Sequence, residues 1–188
     1  YPRVTGIPDP VDFATITIPA QAVPEVVEEC LARGVKAVQI LAGGFREVGE
    51  EGRRLEEQIA KIAAKGIRVI GPNCFGVYSP GGGITVLPGE NFPKETGPVA
   101  FFCQSGSFTH RFVDPTRGWG IRFSKIVSYG NACDVNECDL LEYLHQDPET
   151  KIIAAYLEGV RNGRRFPKLL QEVCKDKPVV IWKGGLTK

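Results

Sequence analysis

The feature that most restricts this chain is an alternation. Short, β-branched apolar runs end at glycine or proline, and each is followed by a longer stretch whose apolar residues recur three and four apart. Residues 11–18 read as a strand stopped by Pro19. Pro24 suits a first helical turn, and Val26, Val27, Cys30 and Leu31 keep helical spacing until Gly34. Residues 35–41 form the next strand, bounded by Gly34 and Gly43-Gly44. Over residues 50–65 a stripe of Leu55, Ile59, Ile62 and Ala63 predicts a helix whose other faces carry Glu50, Glu51, Arg53, Arg54, Glu56, Glu57 and Lys61. A third strand, 67–70, runs into Gly71-Pro72-Asn73-Cys74-Phe75-Gly76. Parallel strands need helix-length crossovers, so this alternation predicts an α/β fold with parallel sheets covered on both faces.

Between residues 79 and 97 the helical periodicity disappears, and Gly81-Gly82-Gly83, Pro88-Gly89 and Pro93 take over. The predicted organisation is therefore a domain over 1–80, a linker over 81–97 and a second domain over 98–188. In the second domain, strands are predicted at 98–103, 123–128, 151–157 and 178–182. Helices are predicted from Ser107, over 137–145 and over 163–174.

With 23 Lys+Arg against 22 Asp+Glu, and no window dominated by basic residues, a nucleic-acid partner is not expected. The apolar runs are too short to span a bilayer, and the first residues lack a basic-then-apolar leader pattern, so the expected location is the cytosol. The six cysteines sit inside or at the ends of periodic segments with no Cys-x-x-Cys pair, which reads as reduced thiols. Cys133 and Cys138 are not patterned with His110 or His145, so no metal site is expected. The absence of Met and the Tyr at position 1 lead to the expectation of a portion of a longer protein.

In open parallel sheets the ligand crevice lies beyond the carboxyl ends of the strands, which directs attention to the turns at Pro19-Ala20-Gln21, Ala42-Gly43-Gly44-Phe45, Gly71-Pro72-Asn73-Cys74, Gln104-Ser105-Gly106-Ser107 and Gly130-Asn131. Gln104-Ser105-Gly106-Ser107 joins a strand to a helix, where backbone N–H groups and the helix dipole favour an anion, and the serine hydroxyls can donate to phosphate oxygens. By itself the same turn also reads as a capping serine beside a tight glycine. Gly130-Asn131 suits a left-handed turn, functional or not. Glu158 ends an apolar strand, either as a solvated glutamate or as a carboxylate that holds an imidazole. Cys74 reads as packing beside a ligand or, less naturally, as a thiol nucleophile. His110 reads as a surface residue or as support for the turn.

Taken together, these segments resemble the CoA-binding and ligase domains shared by ADP-forming acetyl-CoA synthetases and the α subunit of succinyl-CoA synthetase. The resemblance rests on Ile7-Pro8-Asp9 to Ile18-Pro19-Ala20, Ala42-Gly43-Gly44-Phe45 with Glu47, Gly49-Glu50-Glu51-Gly52, and Gly71-Pro72-Asn73-Cys74-Phe75-Gly76. It continues through Gln104-Ser105-Gly106, Val127-Ser128-Tyr129-Gly130-Asn131 with Asp134, Asp147-Pro148-Glu149-Thr150, Tyr156-Leu157-Glu158-Gly159, Lys177-Pro178-Val179-Val180 and Lys183-Gly184-Gly185. It implies a partial Rossmann-like CoA-binding domain followed by a flavodoxin-like parallel α/β ligase domain. The implied reaction interconverts acyl-CoA, phosphate and a nucleoside diphosphate with acid, CoA and a nucleoside triphosphate through a phosphohistidine. By resemblance, Pro19, Gly43, Gly44, Asn73 and Cys74 line the CoA thiol arm and acyl site. Ser105, Gly106, Ser107, Gly130 and Asn131 bind phosphate, and Glu158 orients the histidine. ADP/ATP or GDP/GTP and Mg2+ are expected on a partner ATP-grasp domain or subunit, and an oligomer is expected.

Neither His110 nor His145 matches the family's phosphorylated histidine, so this segment alone is not expected to turn over. The rival readings are an inactive module that senses CoA or acyl-CoA and a subunit-interaction module. A dinucleotide-binding oxidoreductase lacks its Gly-x-Gly-x-x-Gly signature here, and no Gly-x-x-x-x-Gly-Lys loop is present.

Overall fold

The computed structural model describes residues 1–86 and 92–185, apart from the side chain of Arg117. The chain divides into two compact units, one of Tyr1–Cys74 with Gly130–Val135 and one of Phe75–Tyr129 with Asn136–Lys188.

The first unit holds three parallel strands in the order β1 (Phe13–Ile16), β2 (Ala37–Ile40) and β3 (Arg68–Ile70). Helix α1 (Val23–Arg33) has Pro24 in its first turn and ends on Gly34 at φ 83°, as the sequence predicts. Helix α2 (Glu50–Ala63) carries Glu50 and Glu51 at its positive end. Because the strand order never reverses, right-handed crossovers put both helices on one face. Their stripe of Val23, Val27, Cys30, Ile59, Ile62 and Ala63 closes over Ile16, Val38, Ile40 and Val69. The two-faced cover expected from the alternation is therefore not built by the helices of this unit. Glu56, expected on a solvated face of α2, is 1% exposed and takes an ion pair from Arg46 at 2.6 Å.

Segment Gly130–Val135 completes this unit. Its N–H groups at Asn131, Cys133 and Val135 donate to the carbonyls of Pro72, Gly71 and Val69 at 2.9–3.1 Å. As the donors advance the acceptors recede, so the segment lies antiparallel to the end of β3. The Asp134 carboxylate adds bonds to Val69 N–H at 2.8 Å and Arg68 Nε at 2.9 Å.

The second unit holds a six-stranded sheet of β4 (Gly76–Ser79), β5 (Ile84–Thr85), β6 (Val99–Cys103), β7 (Phe123–Ser128), β8 (Ile152–Leu157) and β9 (Val179–Lys183). Its order is β5-β4-β7-β6-β8-β9. Strands β6 to β9 are parallel. Helix α3 (Gly106–Gly118) links β6 to β7, α4 (Glu137–Gln146) links β7 to β8, and α5 (Arg165–Asp176) links β8 to β9. The chain steps from β6 to one side, then crosses back over β6 to the other. By the same handedness rule α3 lies on one face and α4 and α5 on the opposite one. Four of the five β6 residues are buried, as a doubly covered strand requires. Asn136 opens α4 with a reciprocal capping box to Asp139.

Two features of this region bear on the sequence reading. The compact units divide between Cys74 and Phe75, whereas the expected domain boundary lies within 81–97. The Gly76 to Thr85 stretch, read as domain end and linker, is a hairpin that pairs antiparallel with β7. Its glycine turn closes by Gly82 N–H to Ser79 O and Gly83 N–H to Pro80 O, which erases any sequence periodicity. The expected Pro88-Gly89 turn lies outside the described residues.

Candidate functional site

Two corners collect the predicted residues, one in each unit. In the first, β1, β2 and β3 end side by side, and their following loops meet. A Cβ at Gly44 would stand 3.2 Å from Ala20 Cβ, and one at Gly43 would stand 3.4 Å from Asn73 Oδ1, so the loops after all three strands are in contact. Asn73 itself sits at φ 55° beyond the cis Gly71-Pro72 bond, with its N–H on Ala42 O at 2.9 Å. Pro19 is exposed at the rim. Cys74 is buried and its thiol donates to Ile40 O at 3.2 Å.

Charge in this corner is internally matched. Glu47 Oε1 accepts the N–H groups of Gly44 (2.6 Å) and Phe45 (3.1 Å), while its Oε2 accepts Asn131 Nδ2 at 2.6 Å. Asn131 Nδ2 also reaches Glu56 Oε2 at 2.9 Å, and Asn131 Oδ1 accepts Asn73 Nδ2 at 3.4 Å. Burial works against the Glu47 charge, but the bonds from Asn131 and the loop N–H groups outweigh it, and the carboxyl is held below its ordinary range. Burial, with Glu56 and Asp134 nearby, pushes the Cys133 thiol up to about 12. Gly130 is obligatory at this point: its φ is 53°, and a Cβ there would run into the Pro72 and Asn73 carbonyls. The other left-handed residue is Ala132 rather than the expected Asn131.

The second corner lies where β6 and β8 end. Because the chain leaves β6 toward β7 and returns on its other side, this pair of strands is the topological switch point, where open α/β sheets place ligands. The register pairs Cys103 with Tyr156 at its last rung, so the turn that carries Ser105 and the turn that carries Glu158 follow neighbouring strand ends. Ser105 Oγ accepts Phe108 N–H at 3.2 Å and caps α3, with Ser107 Oγ 3.3 Å away. The remaining N–H groups of the first turn have no intrahelical acceptor. Gly106 admits Phe75, whose Cβ would lie 3.0 Å from any Cβ added there.

Gln104 directs its side chain at the end of β8. Its Oε1 accepts the N–H groups of Glu158 (2.5 Å) and Gly159 (2.9 Å). Lys183 Nζ donates to Glu158 O at 2.8 Å and also to Gly184 O. The Glu158 side chain is exposed, and among the described residues nothing bonds its carboxylate. Glu137, fully buried at the start of α4, accepts Arg161 N–H at 2.7 Å and Asn162 N–H at 3.3 Å through Oε1, bracing the far side of the Glu158 turn. Sequence reasoning missed Glu137 because a glutamate in a first helical turn is ordinary. Burial pushes the Cys103 thiol up to about 11. Burial, with Glu137 next in effect, raises Tyr129, so both stay neutral.

Among the described residues, the two histidines pack against groups other than Glu158 and Ser105. His110, exposed on α3, meets Phe75 edge-on at 6.1 Å, and His145 pairs with Asp176 at 2.7 Å. The Asp147-Pro148-Glu149-Thr150 motif sits at the opposite end of the sheet, before β8. There Lys125 Nζ binds Asp147 (2.8 Å) and Glu149 (2.7 Å), and Thr150 Oγ1 bonds both Asp147 (2.5 Å) and Ser124 (2.7 Å). That part of the motif is structural.

All six cysteines are free. Among the described residues no group of three or more His, Cys, Asp or Glu side chains is placed to hold a metal ion, and no helix is long and apolar enough to cross a membrane.

Comparison with known proteins bears on both corners. Residues 1–80 match the family described as CoA binding domain, and residues 96–188 match the succinyl-CoA ligase like flavodoxin domain. The chain is 44% identical to the α subunit of acetate–CoA ligase [ADP-forming] I from Pyrococcus furiosus, over 98% of the chain and 40% of that protein. It is 39% identical to acetate–CoA ligase [ADP-forming] I from Archaeoglobus fulgidus, over 98% of the chain and 27% of that protein. The fold superposes with TM-score 0.91 and 38% identity on acetyl-coenzyme A synthetase 1 of Ca. Korarchaeum cryptofilum in complex with phosphate and ADP, covering 100% of this chain and 40% of the other. The chain therefore spans two fifths or less of the length of these relatives.

Proposed function

We propose that this chain, which belongs to the nucleoside-diphosphate-forming acyl-CoA synthetase family, supplies the CoA corner and the phosphoryl corner of such an enzyme. The complete enzyme interconverts acyl-CoA, phosphate and a nucleoside diphosphate with the free acid, CoA and a nucleoside triphosphate, in the cytosol. The observation that supports this reading is that the Ser105-Gly106 helix start and Glu158 follow adjacent strand ends at the switch point of the second sheet. A helix N-terminus with two hydroxyls suits phosphoryl oxygens. A free carboxylate on a held backbone suits an imidazole N–H, which it orients while leaving the other ring nitrogen to take and release the phosphoryl group.

In the first corner, Pro19, Gly43, Gly44 and Asn73 line the path for the CoA thiol arm, with Cys74 packed beneath. Gly130 and Asn131 belong to that corner. Since the Asn131 side-chain donor is engaged by two carboxylates, its role is to brace the Gly43-Gly44 loop rather than to donate to phosphate. The carrier histidine, a nucleotide-grasp partner and the Mg2+ that accompanies nucleotide come from outside these residues. The test is ATP formation by the complete enzyme from acetyl-CoA, phosphate and ADP. Glu158→Gln is expected to lower turnover by about 100-fold or more while leaving CoA affinity intact. Wild-type turnover by Glu158→Gln contradicts the reading.

A further inference from the structure

We propose that Gln104 is a positioning residue that fixes Glu158 against the phosphate turn; this rests on the reading above, in which Glu158 orients the carrier imidazole. The β6–β8 ladder ends with Cys103 opposite Tyr156 and one further bond, Gln104 N–H to Tyr156 O at 3.2 Å. In a parallel ladder the next acceptor along β6 would be the backbone carbonyl of Gln104, facing Glu158 N–H, but the chain turns here into α3, whose Ser105 carbonyl takes Thr109 N–H and Thr109 Oγ1 at 3.1 and 2.8 Å. The N–H groups of Glu158 and Gly159 would then face a strand that has turned away.

Gln104 Oε1 takes both, at 2.5 and 2.9 Å, and so extends the ladder with a side-chain carbonyl where the backbone has left it. Lys183 Nζ holds the Glu158 carbonyl from the opposite neighbour, and Glu137 holds the N–H groups of Arg161 and Asn162 further along the turn. The backbone of Glu158 is thus gripped on both sides while its carboxylate projects free among the described residues. A rigid base with an unengaged head is what an orienting carboxylate requires. It also gives Gln104, which opens the phosphate turn, a task distinct from touching phosphate.

The test is a double-mutant cycle in the complete enzyme, with acetyl-CoA, phosphate and ADP as substrates. Gln104→Met removes the acceptor at similar length, and kcat is expected to fall about tenfold to hundredfold with KM for phosphate unchanged. In a Glu158→Gln background the same substitution should cost nothing more. Gln104→Glu keeps an acceptor oxygen for both N–H groups and should retain most of kcat, while its added charge raises KM for phosphate. Should Gln104→Met fail to fold, Lys183→Met carries the cycle, with a kcat loss that vanishes in the Glu158→Gln background. Additive losses overturn the inference, as does a Gln104→Met variant that changes only KM for phosphate, since that marks a phosphate ligand. If Glu158→Gln turns over normally, the functional reading itself fails and Gln104 has nothing to position.

Discussion

The two corners solve opposite problems. In the first unit the carboxylates beside the loops are matched internally: Glu47 with two loop N–H groups and Asn131, and Glu56 with Arg46 and Asn131. In the second, the matched groups are backbone ones, and the chemically useful head, the Glu158 carboxylate, is left unengaged among the described residues. A corner that receives a flexible thiol arm needs a fixed shape, because any free charge there would hold water against an uncharged guest. A corner that receives phosphoryl and imidazole groups needs free polar heads, but on a backbone that does not move. Substitutions should therefore separate cleanly, with stability effects in the first unit and turnover effects in the second.

The largest stability effect should come from Gly130→Ala. It combines a left-handed φ with an encounter between Cβ and two carbonyls, and should cost the first unit about 3–4 kcal/mol in urea unfolding. Glu56→Ala should follow. Removing one partner of a fully buried pair costs about 3–5 kcal/mol, and Arg46, which is 36% exposed, can recover water, so a loss near the lower bound is expected. Ser105→Ala in the second unit should cost only the α3 cap, about 1 kcal/mol, yet lower turnover far more than either change in the first unit. If Ser105→Ala proves mainly a stability variant, the contrast between the corners collapses.

The smallest effect is acid dependence. Glu47 and Asp147 both have lowered pKa values: burial opposes ionisation in each, while hydrogen bonds, from Asn131 and loop N–H groups in one case and from Lys125 and Thr150 in the other, prevail. A folded pKa below the unfolded value of roughly 4 means stability that is complete above about pH 5 and is lost as pH falls through the folded value. Glu47→Gln should flatten this slope for the first unit, and Asp147→Asn for the second, in pH-dependent unfolding followed for each transition.

Much of this was legible in the sequence where the cause is local. Gly34 stops α1, the Leu55–Ile59–Ile62 stripe marks α2, and the buried run before Gln104 marks a covered strand, because capping, periodicity and strand burial are written within a few residues. What stayed hidden is non-local. Glu56 and Glu137 look like ordinary helix-surface carboxylates until partners far along the chain bury them. The Gly76 to Thr85 hairpin hides behind glycines that carry no pattern, and its pairing with β7 is decided by residues fifty positions on. Gly130-Asn131 reads as a turn of the second domain, and only the bonds to Pro72, Gly71 and Val69 assign it to the first unit. The role of Gln104 was masked by its place in a recognisable turn.

On the proposed function, the Ser105-Gly106 helix start and Glu158 make one phosphoryl-transfer corner. The most direct measurement is labelling of the complete enzyme with radioactive inorganic phosphate and acetyl-CoA in the absence of nucleotide. The expected result is an acid-labile phosphohistidine in the wild type, its formation reduced about 100-fold or more by Glu158→Gln with CoA binding preserved. Label that forms equally well in Glu158→Gln, or that resides on a residue other than histidine, would contradict it.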